Sequence, residues 1–195
     1  MPVALEAPVT VTAPPHKLWT RAECEALERA GVLEMERYEL VGGELVLKLG
    51  KNKPHMLVPA LLLHWLQGIF GALFVLQDPT IDIHPTDSST NEPQPDVVVM
   101  NRSIRELPGR PEAKDIVLAA EVSATTLSFD LTVKARLYAR AAIAEYWVVD
   151  LTGRQVIVHR QPEDGRYMEV VAYAEEESVA TLGAPEVLVR VGDLF

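Results

Sequence analysis

Three stretches of the chain are apolar with no polar alternation: Val97-Val98-Val99-Met100 after Asp96, Ile116-Val117-Leu118-Ala119-Ala120-Glu121-Val122, and Glu145 to Leu151. A strand with one wet face alternates, so runs without alternation belong in the middle of a sheet covered on both faces. Ser128 to Ile143, between the second and third runs, predicts a covering helix with Val133, Leu137 and Ala141 on one face. Upstream, Thr20 with Glu23 three residues on and Gly31 beyond predicts a capped helix over 20–31. Tyr38 to Leu47 is two strand-like runs around Gly42-Gly43, a hairpin signal, and a helix follows at about 55–72. Phe74 to Ile83 reads as extended, with Asp82 and His84 alternating against Ile81 and Ile83. Gln155–Arg160, Tyr167–Tyr173 and Val187–Val191 read as strands closing an edge. The succession predicts a single α/β domain over 20–195, a mixed central β-sheet flanked by helices with an N-terminal helix and β-hairpin. Pro2, Pro8, Pro14 and Pro15 make 1–19 a flexible N-terminal arm.

Met56 to Leu76 carries no formal charge apart from His64 and is long enough to cross a bilayer. Ala60, His64, Gln67 and Gly71, however, recur at spacings of three and four and draw a small, polar stripe down one helix face. A helix packed on a sheet accounts for both the stripe and the apolar remainder, so no membrane span is expected. With 195 residues, 48% hydrophobic and 24% charged, the composition is that of a globular chain.

The charge sum is 18 − 28 = −10 at pH 7. That argues against a broad basic surface wrapping a duplex, because non-specific affinity for nucleic acid comes from neutralised phosphates. It leaves room for a local basic groove or an acidic metal site. A single cysteine, Cys24, forms neither an intramolecular disulfide nor a zinc cluster, and Met1 to Glu6 shows neither a basic leader nor a hydrophobic signal core. The expected compartment is cytoplasmic.

Acids beside the most apolar strands call for a reason, since an unpaired buried carboxylate is costly. Asp96 opens one such strand and Glu121 lies near the end of the next, 25 residues later, with a Pro/Gly turn between. If the strands pair antiparallel, the two acids sit at one sheet edge, close enough to share a cation. Two hard anionic oxygens plus water and phosphate commonly hold Mg2+ (or Mn2+). The alternative is that Asp96 caps a turn after Pro95 and Glu121 pairs with an arginine. Lys134, four residues after Asp130, shares a helical face with it. It can lean back over the sheet edge to orient or deprotonate a water and offset charge on a phosphate, or form a plain surface pair with Asp130.

The motifs "RYELVGGELV", His55 at the opening of a helix, "PQPDVVVM", "LAAEVSATTLSFDLTVKARLYARAAIAEYWVVD" and a closing Tyr167 strand together resemble the Uma-two family. These are bacterial proteins classed as endonucleases of the PD-(D/E)XK, restriction endonuclease-like superfamily. The resemblance runs from about Thr20 to Tyr173, and its motifs are specific in combination. It implies a restriction endonuclease-like core, with Asp96 as the PD acid and Glu121 as the (D/E)XK acid, both metal ligands. The superfamily lysine two residues after that acid is replaced by Ser123, and the resemblance points to Lys134 from the next helix in its place. It makes Glu44 an additional N-terminal acid, with Glu39 nearby. His55 and Asp130 match family positions without an assigned role; for His55 a helix cap or a packed imidazole is the other explanation.

Three functions are expected to compete. One is a Mg-dependent endonuclease hydrolysing DNA phosphodiester bonds, with a homodimer expected because a duplex needs two cuts. Another is a non-catalytic nucleic-acid-binding or protein-interaction module on the same fold. The third is a metal-dependent hydrolase of small phosphate esters.

Overall fold

The computed structural model describes residues 16–48 and 53–195; of the expected N-terminal arm, residues 1–15 lie outside the described residues. The chain begins with α1 (Arg21–Arg29), opened by the predicted capping box: Thr20 Oγ1 accepts from the Glu23 N–H, and Glu23 Oε2 accepts from the Thr20 N–H. Next comes the hairpin of β1 (Tyr38–Val41) and β2 (Glu44–Leu47), whose Gly42 and Gly43 both have positive φ, as a two-residue primed turn requires. At Gly43 a side chain is also excluded by Leu18, because the Trp19 N–H donates to the Gly43 carbonyl and holds residues 18–19 against the turn.

After α2 (Lys53–Phe70) come β3 (Val75–Gln77), β4 (Val97–Met100) and β5 (Ile116–Ser123). A continuous helical stretch follows, made of α3 (Leu127–Phe129), a π-helical turn (Asp130–Lys134) and α4 (Ala135–Arg140). β6 (Glu145–Asp150), β7 (Gln155–Glu163) and β8 (Arg166–Ala174) complete a six-stranded sheet, and the short pair β9 (Ser178–Val179) and β10 (Val189–Arg190) lies outside it. The sheet order is β3-β4-β5-β6-β7-β8, and every pairing is antiparallel except β5 with β6, which the helical stretch connects. This is the mixed α/β sheet flanked by helices that the apolar runs predict.

The uniform apolarity of β4, β5 and β6 has its cause in two cores. Val97, Val99, Ala120, Trp147 and Val149 face Leu62 and Leu66 of α2 on one side. Val98, Ala119, Tyr146 and Val148 face Leu137 and Tyr138 of α4 on the other. By alternation Glu121 lies on the second side.

Three expectations shift. Of the extended 74–83 segment only Val75–Gln77 joins the sheet, although Ile81 and Ile83 are buried as the alternation suggests. Val133 is exposed rather than packed with Leu137. The π-helical turn inserts a residue, so the buried face passes through Asp130 and Lys134 instead. The helix ends before Ile143 because Ala142 adopts φ 58, a left-handed conformation that stops it. No helix among the described residues is long and apolar enough to cross a membrane. Ala60 and His64 of α2 are exposed, while Val58, Leu62 and Leu66 face the sheet.

Candidate functional site

Antiparallel pairing of β4 with β5 matches Val97 to Ala120, so one step further along the ladder Asp96 stands opposite Glu121. Asp96 is fixed there by its own carboxylate, whose Oδ2 accepts the Val122 N–H at 2.7 Å. The crossover helix brings in the cation. Lys134, only 4% exposed, donates from Nζ to Glu121 Oε1 at 2.9 Å and lies 3.0 Å from Glu39 Oε2 and 3.9 Å from Asp130 Oδ1. Tyr138, one turn on, donates its hydroxyl to the same Glu121 Oε1 at 2.8 Å. Among the described residues, both hydrogen bonds to the Glu121 carboxylate end on Oε1.

Local sequence explains this convergence. Glu121 and Ser123 share a strand face, and Ser123 Oγ, fully buried, donates to Asp130 Oδ2 at 2.6 Å. That bond, with the Tyr146 hydroxyl donating to the Asp130 carbonyl, pins the start of the helical stretch to the sheet edge. In the π-helical turn the Ala135 N–H reaches back to the Asp130 carbonyl, and Asp130 and Lys134 both face inward. A serine at the strand position and a lysine on the helix therefore act as one construction.

Among the described residues the charges are unbalanced. Glu39, Asp78, Asp96, Glu121 and Asp130 line a cleft of about 130 Å³ together with Lys48, His55 and Lys134. Burial lifts the Glu121 carboxyl well above its ordinary range, and Glu39, Asp130 and Asp96 add to that, with Lys134 opposing. For Lys134, burial alone would lower the pKa, but Glu121, Glu39 and Asp130 outweigh it and hold the ammonium charged. Burial, followed by the Glu121 charge, also raises Tyr138 and Tyr146, so both hydroxyls stay neutral donors.

Five of the residues singled out in the sequence, Asp96, Glu121, Lys134, His55 and Asp130, line this one cleft; Glu44 does not. Glu44 sits beside the hairpin turn, paired in register with Val41, exposed, and 3.0 Å from His16. The acid from the hairpin is Glu39, whose Oε2 also accepts the Gln94 N–H at 3.2 Å. The correction has a simple geometric cause: residue 39 lies at the far end of the short β1 strand from the turn, where the hairpin reaches the sheet edge. Sequence reasoning also passes over Tyr138. Its signal was weak, since a tyrosine among alanines on a buried helix face reads as packing.

Hard carboxylate oxygens in a cleft with excess negative charge suit a divalent cation such as Mg2+. Among the described residues no three His, Cys, Asp or Glu side chains form a ready-made ligand cluster, so the fit rests on two carboxylates completed by water and substrate phosphate.

Comparison with known proteins matches a family model and solved structures. A family model described as a "Putative restriction endonuclease" covers residues 22–191. A solved structure, that of "a putative nuclease belonging to DUF820 from Anabaena variabilis ATCC 29413", superposes with a TM-score of 0.64 over 86% of this chain and 95% of that one, at 14% sequence identity. At that identity the likeness is one of fold. No curated protein matches.

Proposed function

Because the chain belongs to the Uma2 family, we propose that it is an endonuclease hydrolysing phosphodiester bonds of DNA with Mg2+ (or Mn2+) held by Asp96 and Glu121. The observation that carries this reading is that Asp96, just before β4, and Glu121 of β5 line one cleft, with the Lys134 ammonium on Glu121. When bound, the cation would supply Lewis acidity toward a phosphate oxygen and toward water.

The protein's own groups have distinct tasks. Asp96 and Glu121 would hold the cation, and the Val122 N–H keeps Asp96 from swinging away. Tyr138 fixes the Glu121 carboxylate by donating to its Oε1. Lys134 stays charged, so it donates hydrogen bonds to negative charge developing on the phosphate and does not act as a base. Glu39 and Asp130 steady the ammonium from its other sides. Because cleavage of both strands needs two such clefts, this reading includes a homodimer.

A second reading, a non-catalytic module on the same fold, is favoured by the engagement of Lys134 with three carboxylates, an arrangement that also serves as a buried structural cluster. One set of measurements separates them. Supercoiled plasmid should be nicked in Mg2+ or Mn2+ and not in EDTA, and Asp96→Asn and Glu121→Gln should abolish both nicking and the calorimetric signal of cation binding. Cation binding without cleavage of duplex or single-stranded DNA would select the module. Cleavage that survives both substitutions would overturn the site assignment.

A further inference from the structure

On the opposite flank of the helical stretch from Asp130 and Lys134 lies a second cavity, of about 370 Å³, between that helix and strands β7 and β8. Leu131 and Ile157 give it apolar walls, Tyr167 an aromatic one, and Arg136 and Arg166 bring two guanidinium groups to it. Most arginines of this acidic chain are spoken for: Arg21, Arg37, Arg102, Arg110, Arg140, Arg154 and Arg160 each pair with a carboxylate. Arg136 and Arg166 are both exposed, and neither makes an ion pair or side-chain hydrogen bond among the described residues. Two unneutralised cations brought to one apolar cavity are an arrangement for binding an anion.

The same cavity has a buried histidine in its wall. His159, only 4% exposed, lines it, and its Nδ1 has no hydrogen-bond partner among the described residues. Main-chain hydrogen bonds to Ile157 and Tyr146 nonetheless hold the ring. Aromatic neighbours also pack on it, Tyr146 at 5.3 Å and Tyr167 at 5.6 Å between centroids. Tyr167 cannot serve His159, because its hydroxyl donates to the Ile143 carbonyl at 2.9 Å.

We propose that this cavity is a nucleotide-phosphate site, in which Arg136 and Arg166 bind the phosphate and the apolar and aromatic walls, with the His159 ring among them, accept the base. The phosphate can belong to a free mononucleotide or to a nucleic-acid strand. Neither source requires the cleft around Lys134 to be catalytic, so the site stands whether or not the chain cleaves DNA.

Binding is measured on the full chain in EDTA, by calorimetry and by NMR of the histidine side chains, with dAMP, inorganic phosphate and a single-stranded 12-mer as probes. The expected result is saturable binding of dAMP that shifts the His159 ring resonances. Arg136→Ala/Arg166→Ala should weaken it at least about tenfold, as expected for loss of charge-assisted hydrogen bonds to phosphate. A 12-mer that binds much more tightly than dAMP, with a salt dependence that becomes shallower by about one to two phosphates in the double variant, assigns the phosphate to a strand. A 12-mer no tighter than dAMP assigns it to the free nucleotide. Both arginines are exposed, so the double variant should keep the parent melting temperature. Absence of saturable binding by all three probes, or affinity unchanged in the double variant, overturns the proposal.

Discussion

Replacing Lys134 with methionine removes the ammonium but keeps an unbranched apolar stem in its place. In the parent protein that ammonium lies 2.9 Å from Glu121, 3.0 Å from Glu39 and 3.9 Å from Asp130, and it and Glu121 are almost completely buried. Removing one partner from such a group leaves uncompensated buried charge, at a cost of about 3–5 kcal/mol. For a chain of this size that corresponds to a fall in Tm of about 6–20 °C. The pH dependence gives a sharper check. Burial already raises the Glu121 pKa, and without Lys134 opposing it the pKa rises further. A carboxyl whose folded pKa is raised contributes stability that is fully present below its unfolded pKa and is lost as pH rises through the folded one. The deficit of Lys134→Met relative to the parent should therefore be small near the unfolded carboxyl range and grow toward neutral and alkaline pH. Urea denaturation followed by circular dichroism at several pH values measures it. A deficit under about 1 kcal/mol at alkaline pH, where exposed pairs would put it, or one independent of pH, would refute the picture of a buried ammonium balancing excess negative charge.

Glu121→Gln should leave stability at neutral pH unchanged or higher, because it removes ionised charge that burial disfavours; melting curves that converge with the parent's at acid pH would support this, and a large loss at neutral pH would contradict it. Arg160→Ala should cost about 3–5 kcal/mol in chemical denaturation, since Arg160 Nε and Nη2 bond Glu145 Oε1 and Glu145 is only 1% exposed. Thr20→Ala removes the α1 cap and should cost about 1 kcal/mol in the same assay, while Thr20→Ser should restore it.

Wherever the sheet was legible in the sequence, burial on both faces had removed alternation. Val97–Met100, Ile116–Val122 and Glu145–Asp150 form adjacent central strands for that reason, and the Asp96–Glu121 opposition follows from antiparallel pairing alone. Periodicity fails where backbone geometry departs from a regular period. The π-helical turn rotates the helix face, so a strict helical repeat puts Val133 inward when it is exposed. Glu39 and Glu44 cannot be told apart by pattern, because both occupy a four-residue strand of one hairpin and only the docking of that hairpin decides which reaches Lys134. The arginine-lined cavity left no trace in the sequence: Arg136, His159 and Arg166 come from three elements and meet only after β7 and β8 pack beneath the helix.

With the ammonium carried by the helix and a serine at strand position 123, the cleft depends on one small side chain. At Ser123 a lysine would have to fit where the structure has no exposed surface, on the same face as Glu121 and next to Asp130. The serine instead gives its hydroxyl to Asp130, and the helix carrying Lys134 begins from that anchored residue. Ser123→Ala should therefore act in two ways. It strips a buried carboxylate oxygen of its donor, a cost of about 1–3 kcal/mol. It also loosens the turn that aims Lys134, so nicking should fall more than cation affinity, because Asp96 and Glu121 are held by the sheet ladder. Ser123→Thr, which keeps the hydroxyl, should recover part of the nicking. If Ser123→Ala lowers stability and leaves cleavage at the parent level, the helix does not need that anchor to present its ammonium, and the coupling between strand and helix argued here is absent.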